Sequence, residues 1–225
     1  MDISYECLRA VQRVFDMSES FADTTLMMVT YNRLDLTKRM LDHLFTVDPY
    51  RKYNLAIVDN GSTDGTVNYL KELQADHEMI RAEGGTCYSR VSRIDVTYLP
   101  ENKGIAIGRN IGLKMADELG TKWYCTVDND VEMPKCWLQE CVDILHANRG
   151  YGGVGVNMED KPYRQVTKNG HTFQDKPQGN LGTACMVFPK SVHSLLGFFN
   201  TEYGPYGEED ADFGMRVRVA GMKLG

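Results

Sequence analysis

The chain of 225 residues has no apolar run approaching the roughly 20 residues that a membrane-spanning helix needs. Its start, Met1-Asp2-Ile3-Ser4-Tyr5-Glu6, is acidic and lacks the apolar core of a signal peptide. A basic excess is missing too. The net charge is −6, which excludes generic affinity for nucleic acid or an anionic membrane, although Arg81, Arg90 and Arg93 gather locally. Six cysteines contain no Cys-x-x-Cys pair and no neighbouring histidine pair, so a zinc centre is not expected. Several sit in apolar runs, as thiols do in reducing compartments, and the expected location is cytoplasmic. Repeats and low-complexity segments are also absent.

What remains is an ordinary globular composition, 42% hydrophobic and 25% charged, with enough length to bury one sizeable core. Leu8, Val11 and Phe15 recur at helical spacing, which predicts a helix over 1–22 packed on a single domain spanning 23–225. The ending, Ala220-Gly221-Met222-Lys223-Leu224-Gly225, reads as the start of a strand, so a native chain continuing past 225 is expected.

From Thr24 onward, strand and helix patterns alternate. Strands are predicted at 26–30, 55–58, 94–99, 122–127, 153–156 and 184–188. Asp35 is expected to cap a helix striped by Leu36, Met40 and Leu44, and Asp64 to cap one running through Leu73. Ile105, Ile111, Met115 and Leu119 stripe another helix, Trp137, Cys141 and Leu145 the next, and a last one is expected over 209–220. Residues 76–93 read as an inserted loop and 158–181 as a polar loop. This alternation predicts an α/β fold with a mainly parallel sheet flanked by helices. Gly150-Tyr151-Gly152-Gly153-Val154-Gly155 matches a dinucleotide fingerprint formally, but it precedes a strand and opens no helix, so it is assigned to a turn.

Chemistry concentrates at strand ends. The run Trp123-Tyr124-Cys125-Thr126-Val127-Asp128-Asn129-Asp130 ends in two aspartates two residues apart, at the edge where open α/β sheets bind ligands. Two hard oxygen donors there suit Mg²⁺ or Mn²⁺. Asp59 closes another strand, where it either accepts from a base or ribose or shapes an Asx-Gly turn. Gly104, Gly108 and Gly112 fall at i, i+4 and i+8 and allow close backbone approach. Arg109, in the same helix, needs a carboxylate or ligand partner if buried. Gly207-Glu208-Glu209-Asp210-Ala211-Asp212-Phe213 crowds four acids at a helix start. Such acids favour the helix dipole, and one near Asp128 and Asp130 could act as a general base.

Five pieces in this order resemble the inverting glycosyltransferases of family 2 with the GT-A fold: Val29-Thr30-Tyr31-Asn32-Arg33, Val58 through Thr66, Asn102 through Gly112, Asp128-Asn129-Asp130, and Glu209 through Phe213. The resemblance covers about 24–224. It implies transfer of a sugar from a nucleoside-diphosphate sugar, UDP-sugars favoured, to an unknown hydroxyl acceptor, with Mn²⁺ or Mg²⁺. In that scheme Thr30, Tyr31, Arg33, Asp59, Gly104, Arg109 and Asp128 bind the donor, with Asp59 on the base and Arg109 beside it. Asp130 ligates the metal with Asp128, Asp210 is the catalytic base, and Glu209 contacts a sugar. Gly182 to Met186 resembles the floor of the acceptor site, with Tyr151, Tyr163, His171, Phe173 and Tyr203 able to stack on a ring or to anchor loops. The usual Gly-Glu-Asp appears as Gly207-Glu208-Glu209-Asp210, which leaves Glu208 without a role. Two other readings are a non-catalytic sugar-nucleotide-binding or scaffold protein, and a sugar-nucleotide pyrophosphorylase. The latter requires a Gly-rich loop after the first strand, where Val29 to Arg33 has no glycine.

Overall fold

The computed structural model describes residues 22–47, 51–85, 88, 90–157, 164–176 and 181–225. The helix expected over 1–22 lies outside the described residues except for Ala22, as does Tyr163. The first half of the chain builds β1 (Thr24–Thr30), α1 (Leu34–Val47), β2 (Tyr53–Asp59), α2 (Thr66–Ala82), β3 (Val91–Tyr98), α3 (Ile105–Glu118) and β4 (Trp123–Asp128). The second half adds α4 (Trp137–Ala147), β5 (Tyr151–Gly155), β6 (Arg164–Lys168), β7 (His171–Asp175), β8 (Cys185–Pro189), α5 (Lys190–Leu196), α6 (Glu209–Val219) and β9 (Lys223–Leu224).

Seven strands form one sheet in the order β3-β2-β1-β4-β8-β5-β9. Pairings among β3, β2, β1 and β4 are parallel, whereas β8 runs antiparallel to both β4 and β5. The chain steps outward from β1 through β2 to β3 and then returns to β4 on the other side of β1. Strand order therefore reverses between β1 and β4, the switch point at which a crevice opens beyond the carboxyl ends.

Every residue of β2 is buried, as a central parallel strand covered on both faces must be. Alternation splits the core in two. Leu26, Met28, Leu55 and Ile57 join α1, α2 and α4 on one face, while Met27 and Ala56 join α3, α5 and α6 on the other.

Several sequence expectations change. The loop expected at 76–93 is mostly regular, because α2 continues to Ala82 and β3 begins at Val91. Polar residues on an exposed helix face had masked the continuation. The loop expected at 158–181 contains the β6–β7 hairpin, whose Phe173 is buried against Tyr151 in an edge-on contact of 5.1 Å. Asp35 lies inside the first turn of α1 rather than at its cap, and the Leu34 N–H instead donates to Asp64 Oδ2 at 2.9 Å. Asp64 also accepts from the N–H of Thr66 at 3.1 Å, so one carboxylate serves two helix starts.

The face of α3 differs as well. Ala106, Gly108, Gly112, Leu113 and Ala116 are buried, while Ile105, Ile111, Met115 and Leu119 are only partly so. Close packing explains the choice: a Cβ on Gly108 would meet Val29 Cγ1 at 2.7 Å, and one on Gly112 would meet Met27 Cβ at 3.1 Å. The small residues bring α3 onto β1, and the large ones ride at the flank. Lys223 and Leu224 do form the strand expected at the chain's end.

Candidate active site

A cleft of about 650 Å³ opens at the switch point. Tyr31, Asn32 and Arg33 line it after β1, Asp128 at the end of β4 with Asn129 and Asp130 just beyond, and Glu209 and Asp210 at the start of α6. Gly182, Thr183 and Ala184, just before β8, form a further wall. Segments far apart in sequence converge because β1 and β4 pair directly, with Val29 opposite Asp128.

Arg109 is the electrostatic centre of the cleft and is only 5% exposed. Its Nη1 donates to Glu209 Oε1 at 2.5 Å and its Nη2 to Asp128 Oδ1 at 3.1 Å. The carboxylate partner anticipated for Arg109 is therefore present, in duplicate. The resemblance had set Arg109 beside Asp59, but the guanidinium is held by Asp128 and Glu209. Glu209, also buried, is neutralised by this pair. Asp210, its neighbour, is partly exposed in the cleft and has no ion-pair partner among the described residues. Its Oδ1 accepts only the N–H of Ala211, at 2.6 Å. The adjacent acids thus stand in different environments.

Glu208 is exposed and takes a left-handed backbone conformation, φ 66°, ahead of α6. A non-glycine residue there is strained, and the turn it makes delivers Glu209 inward. Gly104 has φ 88°, and a Cβ on it would meet Pro205 Cα at 2.8 Å. Its position lets the loop before α6 pack on α3, where Ile105 N–H donates to Pro205 O at 3.0 Å. Gly104 is buried and does not line the cleft.

Thr30 is buried as well, hydrogen-bonded to Thr37 and accepting from Asn129 Nδ2 at 3.1 Å, so its hydroxyl does not reach the cleft. Asp59 is fully buried at the end of β2. Its Oδ1 accepts from the Ser62 N–H at 3.0 Å, whereas Oδ2 has no hydrogen-bond partner among the described residues. A buried acceptor left unpaired costs about 1–3 kcal/mol. Tyr98, opposite Asp59 on β3, has an equally unpartnered hydroxyl, and burial together with the Asp59 charge pushes its phenol up from the ordinary value.

Arg33 Nη1 donates to Asp130 Oδ2 at 3.0 Å in an exposed pair. Asn32 and Arg33 both adopt positive φ, 56° and 58°. The loop after β2 holds them there: Asn32 N–H donates to Ser62 Oγ at 2.7 Å, and Thr63 N–H to Asn32 Oδ1 at 2.8 Å.

No group of three or more His, Cys, Asp and Glu residues that could hold a metal ion is found among the described residues. The donor set still fits Mg²⁺ or Mn²⁺. Asp128 and Asp130 each engage an arginine through one carboxylate oxygen, leaving Asp128 Oδ2 and Asp130 Oδ1 without an ion-pair partner among the described residues. One or two carboxylates, completed by water and substrate phosphate, is how such ions are commonly held.

Sequence reasoning passed over the asparagines. Asn60 is buried, accepting from Lys103 N–H at 2.9 Å and donating to Asn102 Oδ1 at 2.9 Å and Gly104 O at 3.2 Å. Asn129 donates to Thr37 Oγ1 at 2.9 Å. Tyr206, which also lines the cleft, went unremarked. Asn60-Gly61 reads as a mere turn in sequence, and only its buried amide reveals the tie between loops.

The fold is the GT-A fold. A mannosyltransferase from Pyrobaculum calidifontis in complex with GDP-Man and Mn²⁺ superposes with a TM-score of 0.65 at 18% identity, over 96% of this chain and 59% of that one. S. aureus TarS in complex with UDP gives 0.64 at 17%, over 90% and 57%. GalNAc-T7 with UDP, GalNAc and Mn²⁺ gives 0.64 at 14%, over 100% and 51%. The chain thus spans between half and three-fifths of these proteins' lengths. The chain belongs to glycosyl transferase family 2, whose sequence model matches residues 25–194. No curated protein matches it. Among the described residues, no helix is long and apolar enough to cross a membrane.

Proposed function

We propose that this chain transfers a sugar, with inversion, from a nucleoside-diphosphate sugar to a hydroxyl acceptor, aided by Mn²⁺ or Mg²⁺. The observation that carries the reading is the contrast between adjacent acids: Glu209 is neutralised by Arg109, while Asp210 stands unpaired in the cleft that holds Asp128 and Asp130. An unpaired, partly exposed carboxylate can accept a proton; one locked to a guanidinium cannot readily do so.

Asp210 takes the proton of the acceptor hydroxyl as its oxygen forms a bond to the anomeric carbon. The bond from that carbon to the diphosphate oxygen breaks on the opposite side, and its electron pair leaves with the nucleoside diphosphate. Asp128 and Asp130 would hold the divalent ion, which when bound would supply Lewis-acid charge to offset the leaving diphosphate. Arg33, at the cleft mouth, adds a second positive charge near that position. Asp59, whose Oδ2 has no hydrogen-bond partner among the described residues, is the acceptor assigned to a nucleobase N–H in this proposal. The solved neighbours bound to GDP-Man, UDP and UDP with GalNAc support a nucleotide-sugar donor. Free thiols at Cys125 and Cys185 accord with the cytoplasmic setting included in this proposal.

The test is a donor panel of UDP- and GDP-sugars, scored for hydrolysis and thermal stabilisation with and without Mn²⁺. Metal-dependent stabilisation by one nucleotide class, lost in Asp130→Ala, is the expected result. Binding that ignores Mn²⁺ and survives that substitution removes the metal from the scheme.

A further inference from the structure

Asp128, Asp130, Glu209 and Asp210 give the cleft a charged side, whereas Asn60, Ile105 and Tyr206 give it an uncharged corner. Three segments meet in that corner and are fastened to one another. Asn60, just past β2, donates from Nδ2 to Asn102 Oδ1 at 2.9 Å. Asn102 donates from its own Nδ2 to the hydroxyl of Tyr206 at 3.4 Å. Pro205, the residue before Tyr206, accepts at its carbonyl from the Ile105 N–H at 3.0 Å, at the start of α3. Tyr206 is thus tied at its phenol oxygen and through the backbone beside it.

The ring itself is bare. Tyr206 is 66% exposed although it lines the cleft. An aromatic face left in water within a concave site is surface that a ligand can cover, and holding the ring beforehand lowers the entropy lost when one does. A flat, uncharged π system fits such a face, while a phosphate gains no countercharge from Asn60, Ile105 or Tyr206. In a nucleoside-diphosphate sugar only the nucleobase has that chemistry. The corner also lies where the base is expected, since Asn60 directly follows Asp59.

We infer that Tyr206 is a stacking platform for the nucleobase of the donor. Its hydroxyl stays with Asn102, the base lies on the ring, and the diphosphate runs toward Asp128 and Asp130. Every base has a π face, so Tyr206 contributes affinity without choosing among bases. The inference rests on the donor reading of the cleft.

The experiment measures binding of UDP, GDP and inorganic pyrophosphate, each with Mn²⁺, by calorimetry to the wild-type chain, Tyr206→Ala and Tyr206→Phe. The position is exposed, so both variants are expected to fold, which circular dichroism checks. Tyr206→Ala is expected to weaken the preferred nucleotide about 5- to 150-fold, the range for one lost base–aromatic stack, and to leave pyrophosphate unchanged. Tyr206→Phe should stay within about threefold of wild type, because the ring face carries the contact. In Mg²⁺, the base protons of the bound nucleotide should shift upfield in the NMR spectrum, and Tyr206→Ala should abolish that shift. Nucleotide affinity unchanged in Tyr206→Ala overturns the inference, and transfer lost alongside that unchanged affinity moves the platform to the acceptor. A loss in Tyr206→Phe equal to that in Tyr206→Ala also overturns it, by assigning the effect to the hydroxyl. A wild-type chain that binds neither nucleotide overturns the donor reading itself, and this inference with it.

Discussion

Arg109 and Glu209, 100 residues apart in the chain, meet as a buried pair with Nη1 2.5 Å from Oε1. The other arm of the same guanidinium holds Asp128, so one side chain fastens the start of α6 to the end of β4. Removing one partner of a buried pair strands the other charge, at a cost of about 3–5 kcal/mol. Arg109→Met is therefore expected to lose about that much stability in urea denaturation. Arg109→Lys, lacking the planar fork, should recover only part of it. A wild-type midpoint in Arg109→Met would mean that the pair anchors nothing.

The neighbours Glu209 and Asp210 should respond differently to removal of charge. Asp210→Asn is expected to reduce transfer about 10²–10⁴-fold, the range for a lost general base, with nucleotide affinity nearly intact. Glu209→Gln should instead lower the melting temperature, since its partner Arg109 is left buried with less countercharge. Full turnover by Asp210→Asn would shift the base to Glu209.

Arg33 and a metal ion compete for Asp130 under this scheme. The pair is exposed, so breaking it frees no more than about 1 kcal/mol. Arg33→Ala is expected to bind Mn²⁺ up to about fivefold more tightly without nucleotide, by calorimetry. The same variant should bind nucleoside diphosphate more weakly. Unchanged Mn²⁺ affinity would place the ion away from Asp130.

Gly108→Ala sets two effects against each other. Alanine favours a helix interior by about 1 kcal/mol, but its Cβ would lie 2.7 Å from Val29 Cγ1. Overpacking commonly costs about 1–3 kcal/mol, so net destabilisation is expected. Adding Val29→Ala should restore most of the loss, read as a non-additive double-mutant cycle in denaturant.

His77 gives the fold a pH dependence. Burial, and then the Arg81 charge, lower its pKa below the ordinary 6.5. Below that value the unfolded chain takes up a proton that the folded chain refuses, so stability falls as pH drops from 6.5 toward the folded pKa. His77→Gln is expected to flatten that slope. Comparing melting temperatures at about pH 7.5 and about pH 5.5 checks it; an identical slope assigns the dependence to other groups.

Much of the fold is legible in the sequence because periodicity and strand-end chemistry are local. β1, β2 and β4 announce themselves as apolar runs, and Asp59, Asp128 and Asp130 fall at their ends. The β6–β7 hairpin is not legible, since only Phe173 among its ten residues is buried and its strands otherwise read as polar loop. Nor is the buried face of α3, where tight contact with β1 selects glycine and alanine over the larger residues that a hydrophobic stripe favours.

By itself the sequence determined the alternating α/β architecture and the set of acids beyond the strand ends, since both depend on neighbours a few residues away. Which acid is free was decided only by the tertiary structure. Arg109 can neutralise Glu209 and Asp128 because strand order brings α3, β4 and α6 to one crevice, and a buried guanidinium must find countercharge there. Asp210, one residue from Glu209, is left unpaired in the cleft by that same choice.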